Sequence, residues 1–220
     1  MTGTTSGSIE MRPSSPLPLR ERHKEATRDI ILRAAADIVA SRGIHAFTVQ
    51  EVADRAGISH RSVYRYFPTR EALVEGLYTF AEQMALPWAS NLSPVLEDVP
   101  VLAVNPFVMF DREPNIIRAS VMARLTTGYQ PQARIQRTKA FAAGMRRLTP
   151  NLDTQEFRRT FALLRLLVSS NAWLVFREDF GLSGEEMTKA VSWAVSVLIQ
   201  DLKRRNRAAA GNRKRRGRHG

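Results

Sequence analysis

Cysteine is absent from this 220-residue chain. No disulfide framework, thiolate nucleophile, cysteine-ligated metal or iron–sulfur cluster is therefore available to it. Also missing is any apolar run of membrane-spanning length, and the first twenty residues, rich in Ser, Thr, Pro and Gly, lack the apolar core of a secretory signal. The expectation is a cytoplasmic protein with no membrane partner. Catalytic fingerprints are missing too: there is no G-x-S-x-G elbow, no H-E-x-x-H, no Walker loop and no dinucleotide-binding glycine pattern. His45 has no metal-ligand neighbour in sequence. These absences predict no catalytic residue, no metal and no cofactor.

What the chain does have is apolar content, 44% of residues, enough to build a core and to exclude global disorder. Its formal charge of +12 is unevenly spread. Residues 203–220 hold nine Lys or Arg and no acid, and residues 21–70 hold nine basic against six acidic side chains, so residues 71–202 are close to neutral. The signal for a polyanionic partner therefore lies in the tail and, more weakly, in the first folded segment.

Residues 1–20, with Pro13, Pro16 and Pro18, read as a disordered arm. Apolar spacing then predicts a helix over 22–42, ended by Gly43, a short helix over 48–55 capped by Thr48, and a third over 59–67 capped by Ser59. Pro68 stops the third, and a long helix follows from Glu71 to about Ala85. Beyond Pro87 the pattern stays helical, with interruptions expected at prolines including Pro106, Pro114, Pro131 and Pro150, and no run alternates as a strand does. The last two helices are expected over 154–178 and 184–204. The fold class is all-α: a helix-turn-helix domain over 21–69, a larger helical regulatory and dimerisation domain over 70–204, and a disordered basic tail over 205–220.

Two short helices joined by a tight turn containing Gly57, behind a long helix, make a unit whose second short helix can enter the major groove of DNA. Val49, Val52, Ala53, Ile58, Val63 and Phe67 would form its core. Ser59, His60, Arg61, Ser62, Tyr64 and Arg65 then remain on the other face, rich in donors and cationic twice, as reading base edges and gripping phosphates requires. Arg61 and Arg65 are the two side chains there able to pair bidentately with guanine. Each also has a plainer role open to it, as cap, core or solvated face.

The run over residues 43–73, GIHAFTVQEVADRAGISHRSVYRYFPTREAL, resembles the N-terminal signature of the TetR family of transcriptional regulators. The resemblance covers residues 22–80. It implies that the first three helices bind double-stranded operator DNA and that the larger remainder binds an unidentified small-molecule effector and forms a homodimer. By position it implies phosphate contacts for Thr48, Tyr64 and the helix-opening Arg70, and recognition contacts for residues 59–62 and Arg65. Arg61 departs from the family, where a small residue is usual, so operator sequence does not carry over.

For the body, the dimer interface is expected at Phe161, Leu164, Val168 and Val175 of one late helix and Val191, Val195 and Leu198 of the other, unless both helices are interior core. Ligand-pocket candidates are Met84, Trp88, Phe107, Phe110, Met122 and Phe141, with Asn171 and Trp173. The same composition describes a core. Few ionisable residues fall on the inward stripes, so the effector is expected to be apolar or aromatic. The basic tail reads equally as a solvated tether or as an accessory arm on DNA, and the N-terminal arm is a second candidate for minor-groove contact. The expected function is a ligand-released repressor. Its rivals are a DNA-compacting protein without sequence preference and, more remotely, an all-α enzyme.

Overall fold

A computed structural model of the chain describes residues 18–45, 47–89, 99–128 and 130–216, with side chains described at these positions except 84–89, 99–105, 133 and 213–216. Those residues form ten helices and no strand: α1 Leu19–Arg42, α2 Val49–Ala56, α3 His60–Tyr66, α4 Arg70–Ala89, α5 Val99–Arg112, α6 Pro114–Thr127, α7 Gln132–Leu148, α8 Thr154–Leu167, α9 Ser170–Phe180 and α10 Gly184–Arg216. Among the described residues, no helix is long and apolar enough to cross a membrane.

Side chains explain the helix ends. Ser59, Asp153 and Ser169 each accept a backbone N–H at the start of the following helix, satisfying donors that have no partner within the helix. Pro114 occupies the first position of α6, where its missing N–H costs nothing. Gly57, Gly128 and Gly181 take left-handed φ at the ends of α2, α6 and α9. Ser183 and Glu186 cap α10 reciprocally, each accepting the other's backbone N–H, at 3.3 and 2.8 Å.

α1 packs against α2, α4 and α6, and α4 continues onto α5 and α6, so one core runs from the N-terminal helices into the body. Ile31, Leu32, Val39, Val52, Val63, Leu73 and Leu77 are its fully buried N-terminal members. In the body α10 lies mainly on α5, burying Phe107, Trp173, Met187, Val191, Val195 and Leu202. Gly76 permits the tightest junction. A Cβ there would stand 2.5 Å from the Phe67 ring and 3.0 Å from Leu32, so glycine inside α4 lets Phe67 wedge between α4 and α1.

Four expectations change. The helix expected over 154–178 is broken at Val168, because the Ser169 hydroxyl accepts the Ala172 N–H at 3.3 Å and donates to the Leu166 carbonyl, ending one helix and starting the next. Pro106 does not interrupt α5, which passes through it at the loss of one backbone bond. The helix expected from Arg22 begins at Leu19, after Pro18; the rest of the expected arm, residues 1–17, lies outside the described residues. The segment from 205, expected to be disordered, continues α10 to Arg216. Arg205 pairs there with Glu156 and Asp201, and Asn206 accepts the Asn151 N–H at 2.9 Å. Ala208, Ala209 and Ala210 then extend the helix with the strongest helix former.

Candidate nucleic-acid interface

The site begins with Thr48, which opens α2 with a capping box. Its hydroxyl accepts the Glu51 N–H at 3.2 Å, and the Glu51 carboxylate accepts the Thr48 N–H at 2.9 Å and Arg42 at 2.9 Å. The backbone N–H of Thr48, then Arg42, hold the Glu51 carboxyl below its ordinary pKa. Gly57 closes α2 with φ 67° and ψ 29°, its N–H bonded to the Ala53 and Asp54 carbonyls, and Ile58 reaches back to Ala53 at 3.1 Å. A Cβ at Gly57 would meet nothing within 4 Å, so conformation alone requires glycine.

This turn delivers Ser59, whose hydroxyl accepts the Ser62 N–H at 3.2 Å and donates to or accepts from the Ser62 hydroxyl at 2.9 Å. α3 then buries Val63, with Phe67 just beyond it, against α1, α2 and α4. His60, Arg61, Tyr64 and Arg65 follow on the opposite arc and are exposed, Tyr64 at 43%. His60 and Tyr64, one turn apart, meet edge to face with ring centroids 4.7 Å apart. Neither Arg61 nor Arg65 contacts a carboxylate among the described residues; Arg65 lies over the Tyr66 ring, 5.4 Å from its centroid. The result is an exposed helix face on which two cations, neither paired with a described carboxylate, flank an aromatic pair, on a scaffold held at both ends. Chemically it offers guanidinium and imidazole donors to a groove of acceptors.

Arg70 is placed differently from the exposed four. Its guanidinium donates to the Ile44 carbonyl and covers the Phe47 ring at 4.8 Å, tying the start of α4 to the loop between α1 and α2. It orients the unit from within. Two further cations, Arg28 over the Phe67 ring at 5.4 Å and Arg55 paired with Asp37 at 2.9 Å, brace the same unit, and sequence reading did not single them out. Asp37 also accepts Asn115 of α6 at 2.9 Å, while Arg33 of α1 pairs with Glu113, so polar contacts join the unit to the body.

In the body, Phe110 of the expected pocket set lines a small cavity. Phe107 and Trp173 are fully buried core, Phe110 is buried between them, and Met122 and Phe141 pack on the core from its margin. Asn171 accepts from Arg124 at 2.5 Å. The side chains of Met84 and Trp88 lie outside the described residues. Asp111, which the sequence reading missed, holds this region: it accepts Trp173 Nε1 at 2.9 Å, Arg177 at 2.7 Å and the Gly184 N–H at 2.6 Å. Ionisable side chains do enter the interior, contrary to expectation. Arg134 lines a cavity with Tyr78 and Glu82, and Arg137 pairs with Glu82.

The late helices also need correction. Leu164, Val191 and Val195 are buried within the single chain, 0–1% exposed, and Val168 is nearly so, because α10 packs on α5 and α8 packs on α9 and α10. Phe161 and Leu198 are partly buried against the same core, and Val175 is exposed. The outward apolar positions are others: Leu163 and Leu166 on α8, and Trp193 and Val197 on α10, with Trp193 72% exposed.

The description "Bacterial regulatory proteins, tetR family" fits residues 31–77, which hold the second half of α1, all of α2 and α3, and the start of α4. The transcriptional repressor KstR2 of Mycolicibacterium smegmatis is 40% identical over 65 residues, 30% of this chain and 29% of that protein. The transcriptional regulator AlkX of Mycobacterium tuberculosis is 33% identical over 69 residues, 31% and 33% of the two chains. The nucleoid occlusion factor SlmA of Aliivibrio fischeri is 34% identical over 76 residues, 34% and 37%. The match thus spans about a third of the length of these relatives. Among solved structures, a TetR-like regulator from Rhodococcus sp. RHA1 superposes with a TM-score of 0.59 at 16% identity, over 82% of this chain and 96% of that one. NalD of Pseudomonas aeruginosa, a secondary repressor of an efflux pump, gives 0.52 at 16%, over 79% and 95%. At these identities the body shares a fold and no more. Residues 31–77 are thus similar to the tetR family of bacterial regulatory proteins, and the chain as a whole shares the fold of solved TetR-like regulators.

Proposed function

We propose that this chain is a sequence-specific DNA-binding transcriptional regulator of the cytoplasm, acting as a homodimeric repressor that a small effector releases from its operator. The observation that carries the reading is the outward face of α3, where His60, Arg61, Tyr64 and Arg65 stand exposed on a helix capped by Ser59 and anchored by Val63. Arg61 and Arg65 supply base readout and Tyr64 a phosphate contact, while Thr48 and Ser59 set the helix ends that aim them.

Dimerisation is supported by the outward apolar positions on α8 and α10, which pack side by side. Leu163 and Leu166 are spaced i, i+3, and Trp193 and Val197 i, i+4, so each pair lies on one helix face. Two copies joined there double the base contacts across half-sites ~34–36 Å apart or a multiple of that. Release then requires an effector that favours a dimer whose α3 helices no longer match that spacing. α4 carries such a change as the helix that leaves the DNA-reading unit and enters the body, and the Arg33–Glu113 and Asp37–Asn115 contacts provide a second connection.

A second reading, DNA binding without transcriptional control, is favoured by the match to a nucleoid occlusion factor. Selection of bound fragments from random and genomic DNA, followed by competition, tests both. A shared palindromic site that random DNA displaces poorly supports the regulator. Equal displacement by random DNA would end that reading, and sites scattered away from promoters would favour the second.

A further inference from the structure

Four half-buried arginines and one carboxylate meet at the margin of the body's core. Arg134 and Arg137 stand one turn apart on α7, Arg165 comes from α8 and Arg124 from α6. Glu82 of α4 pairs with Arg137, and Arg124 turns to the Asn171 side-chain oxygen. Neither Arg134 nor Arg165 contacts a carboxylate among the described residues; Arg134 hydrogen-bonds Tyr78 instead. Arg137 Nη1 is buried with no acceptor. Burial, and then the charges of Arg134 and Arg137, push the Arg165 guanidinium down to about 10, and burial lowers Arg137 as well. Guanidinium groups stay charged throughout the range proteins experience, so this interior carries positive charge in excess of its one carboxylate. Half-buried cations that outnumber the carboxylates beside them are costly, and a cluster that retains them invites an anion.

A cavity lies against the cluster. Its volume is about 40 Å³, and its lining combines the polar Tyr78, Glu82, Ser120, Arg134 and Ser170 with the apolar Ala81, Phe110 and Ile117. Such a volume admits roughly three water-sized groups, which matches a carboxylate head and not a whole organic molecule.

We propose that this cavity receives the carboxylate-sized anionic head of a small organic acid, held by Arg134 on the cavity wall in the positive field of Arg137 and Arg165, with the organic remainder extending out of the cavity past Phe110 and Ile117. This deepens the effector reading above, on which its regulatory meaning rests, and changes the effector from a neutral apolar molecule to an amphipathic anion. Glu82, which lines the cavity and pairs with Arg137, repels an anion there and keeps the empty site from being occupied by any passing anion.

The test uses the full chain, with calorimetry and thermal melting in the presence of benzoate, hexanoate, phenyl phosphate, inorganic phosphate and the neutral benzamide and hexanamide. The expected result is that organic anions bind and raise Tm, at least tenfold tighter than their amides. Arg134→Gln and Arg165→Gln each weaken anion binding about tenfold or more, whereas Glu82→Gln strengthens it about tenfold by removing a like charge at contact range. That gain cannot come from misfolding. Preference for phenyl phosphate over the carboxylates supports the anion site and assigns the head to a phosphate; inorganic phosphate binding as tightly as either organic anion overturns the organic part. Amides binding as well as acids, or no anion binding to the native chain or to Glu82→Gln, overturns the proposal. Operator affinity is measured alongside: anion binding that leaves it unchanged would end the effector reading while the site itself stands.

Discussion

The DNA-reading unit leaves two cations, Arg61 and Arg65, exposed on α3, whereas the body draws Arg134, Arg137 and Arg165 inward around one carboxylate. Both regions place positive charge where no described residue neutralises it fully. They differ in what surrounds it. Around α3 the neighbours are caps, a small apolar core and water, so its geometry follows from short-range signals; around Glu82 the neighbours come from α4, α6, α7 and α8, brought together only by the fold. The first region matches relatives at 33–40% identity, while whole-chain likeness to the two solved regulators stands at 16%. On the proposed reading, a DNA groove of fixed shape would constrain one region, and an individual ligand the other.

If that division is sound, the two halves respond separately to damage. Asp111→Ala removes the shared acceptor of Trp173, Arg177 and Gly184, and should destabilise the body by about 2–4 kcal/mol, since hydrogen bonds to a charged group contribute ~1.5–3 kcal/mol each and neighbours partly compensate. Thermal denaturation reads the loss, and operator affinity per folded molecule should stay unchanged. Gly76→Ala probes the seam between the halves. The added Cβ overlaps the Phe67 ring, and overpacking of this kind costs ~1–3 kcal/mol, with α3 displaced and operator affinity falling together with Tm.

The glycine in the turn gives a smaller effect confined to the reading unit. Gly57→Ala meets no atom, so only the left-handed conformation opposes it, at about 1 kcal/mol, and Gly57→Asn should be milder. A large loss in Gly57→Ala would mean that sterics, not backbone conformation, set this turn. The smallest effect is acidic. Glu51 of the unit and Asp153 and Glu186 of the body each accept a cap N–H, from Thr48, Glu156 and Ser183 respectively, which holds their folded-state pKa below the ordinary value. Their stabilisation is therefore complete at neutral pH and is lost as the pH falls through and below the usual carboxylate range. Glu51→Gln should flatten the fall in Tm with acid, and an unchanged slope would show that its cap contributes nothing.

Legibility in the sequence followed the same division. Caps and turns act within four residues, so Thr48, Gly57, Ser59 and Gly181 announced themselves, and the spacing of Val52, Val63 and Phe67 told which face of α3 was left outward. The body's polar interior was hidden because Asp111 and Gly184 are 73 positions apart, and Arg137 and Glu82 are 55 apart, too distant for periodicity to connect. The stripe assigned to dimerisation illustrates the limit of the method. Amphipathic spacing reports that Leu164, Val191 and Val195 are buried, but not whether a partner or the chain's own helices bury them; with α5, α9 and α10 in place, the outward positions shift to Leu163, Leu166, Trp193 and Val197. Ser169 was legible in principle, as a cap in the middle of an otherwise helical run.

The central claim is that Arg61 and Arg65 read DNA sequence from α3. Anisotropy titration of the native chain, Arg61→Ala and Arg65→Ala against the selected site and its single-base variants measures it most directly. The account predicts a loss of ~1–3 kcal/mol for each variant, with discrimination relaxed at one base position per half-site. A uniform loss across all sequences would make these arginines phosphate contacts, and an undiminished preference in both variants would contradict the claim.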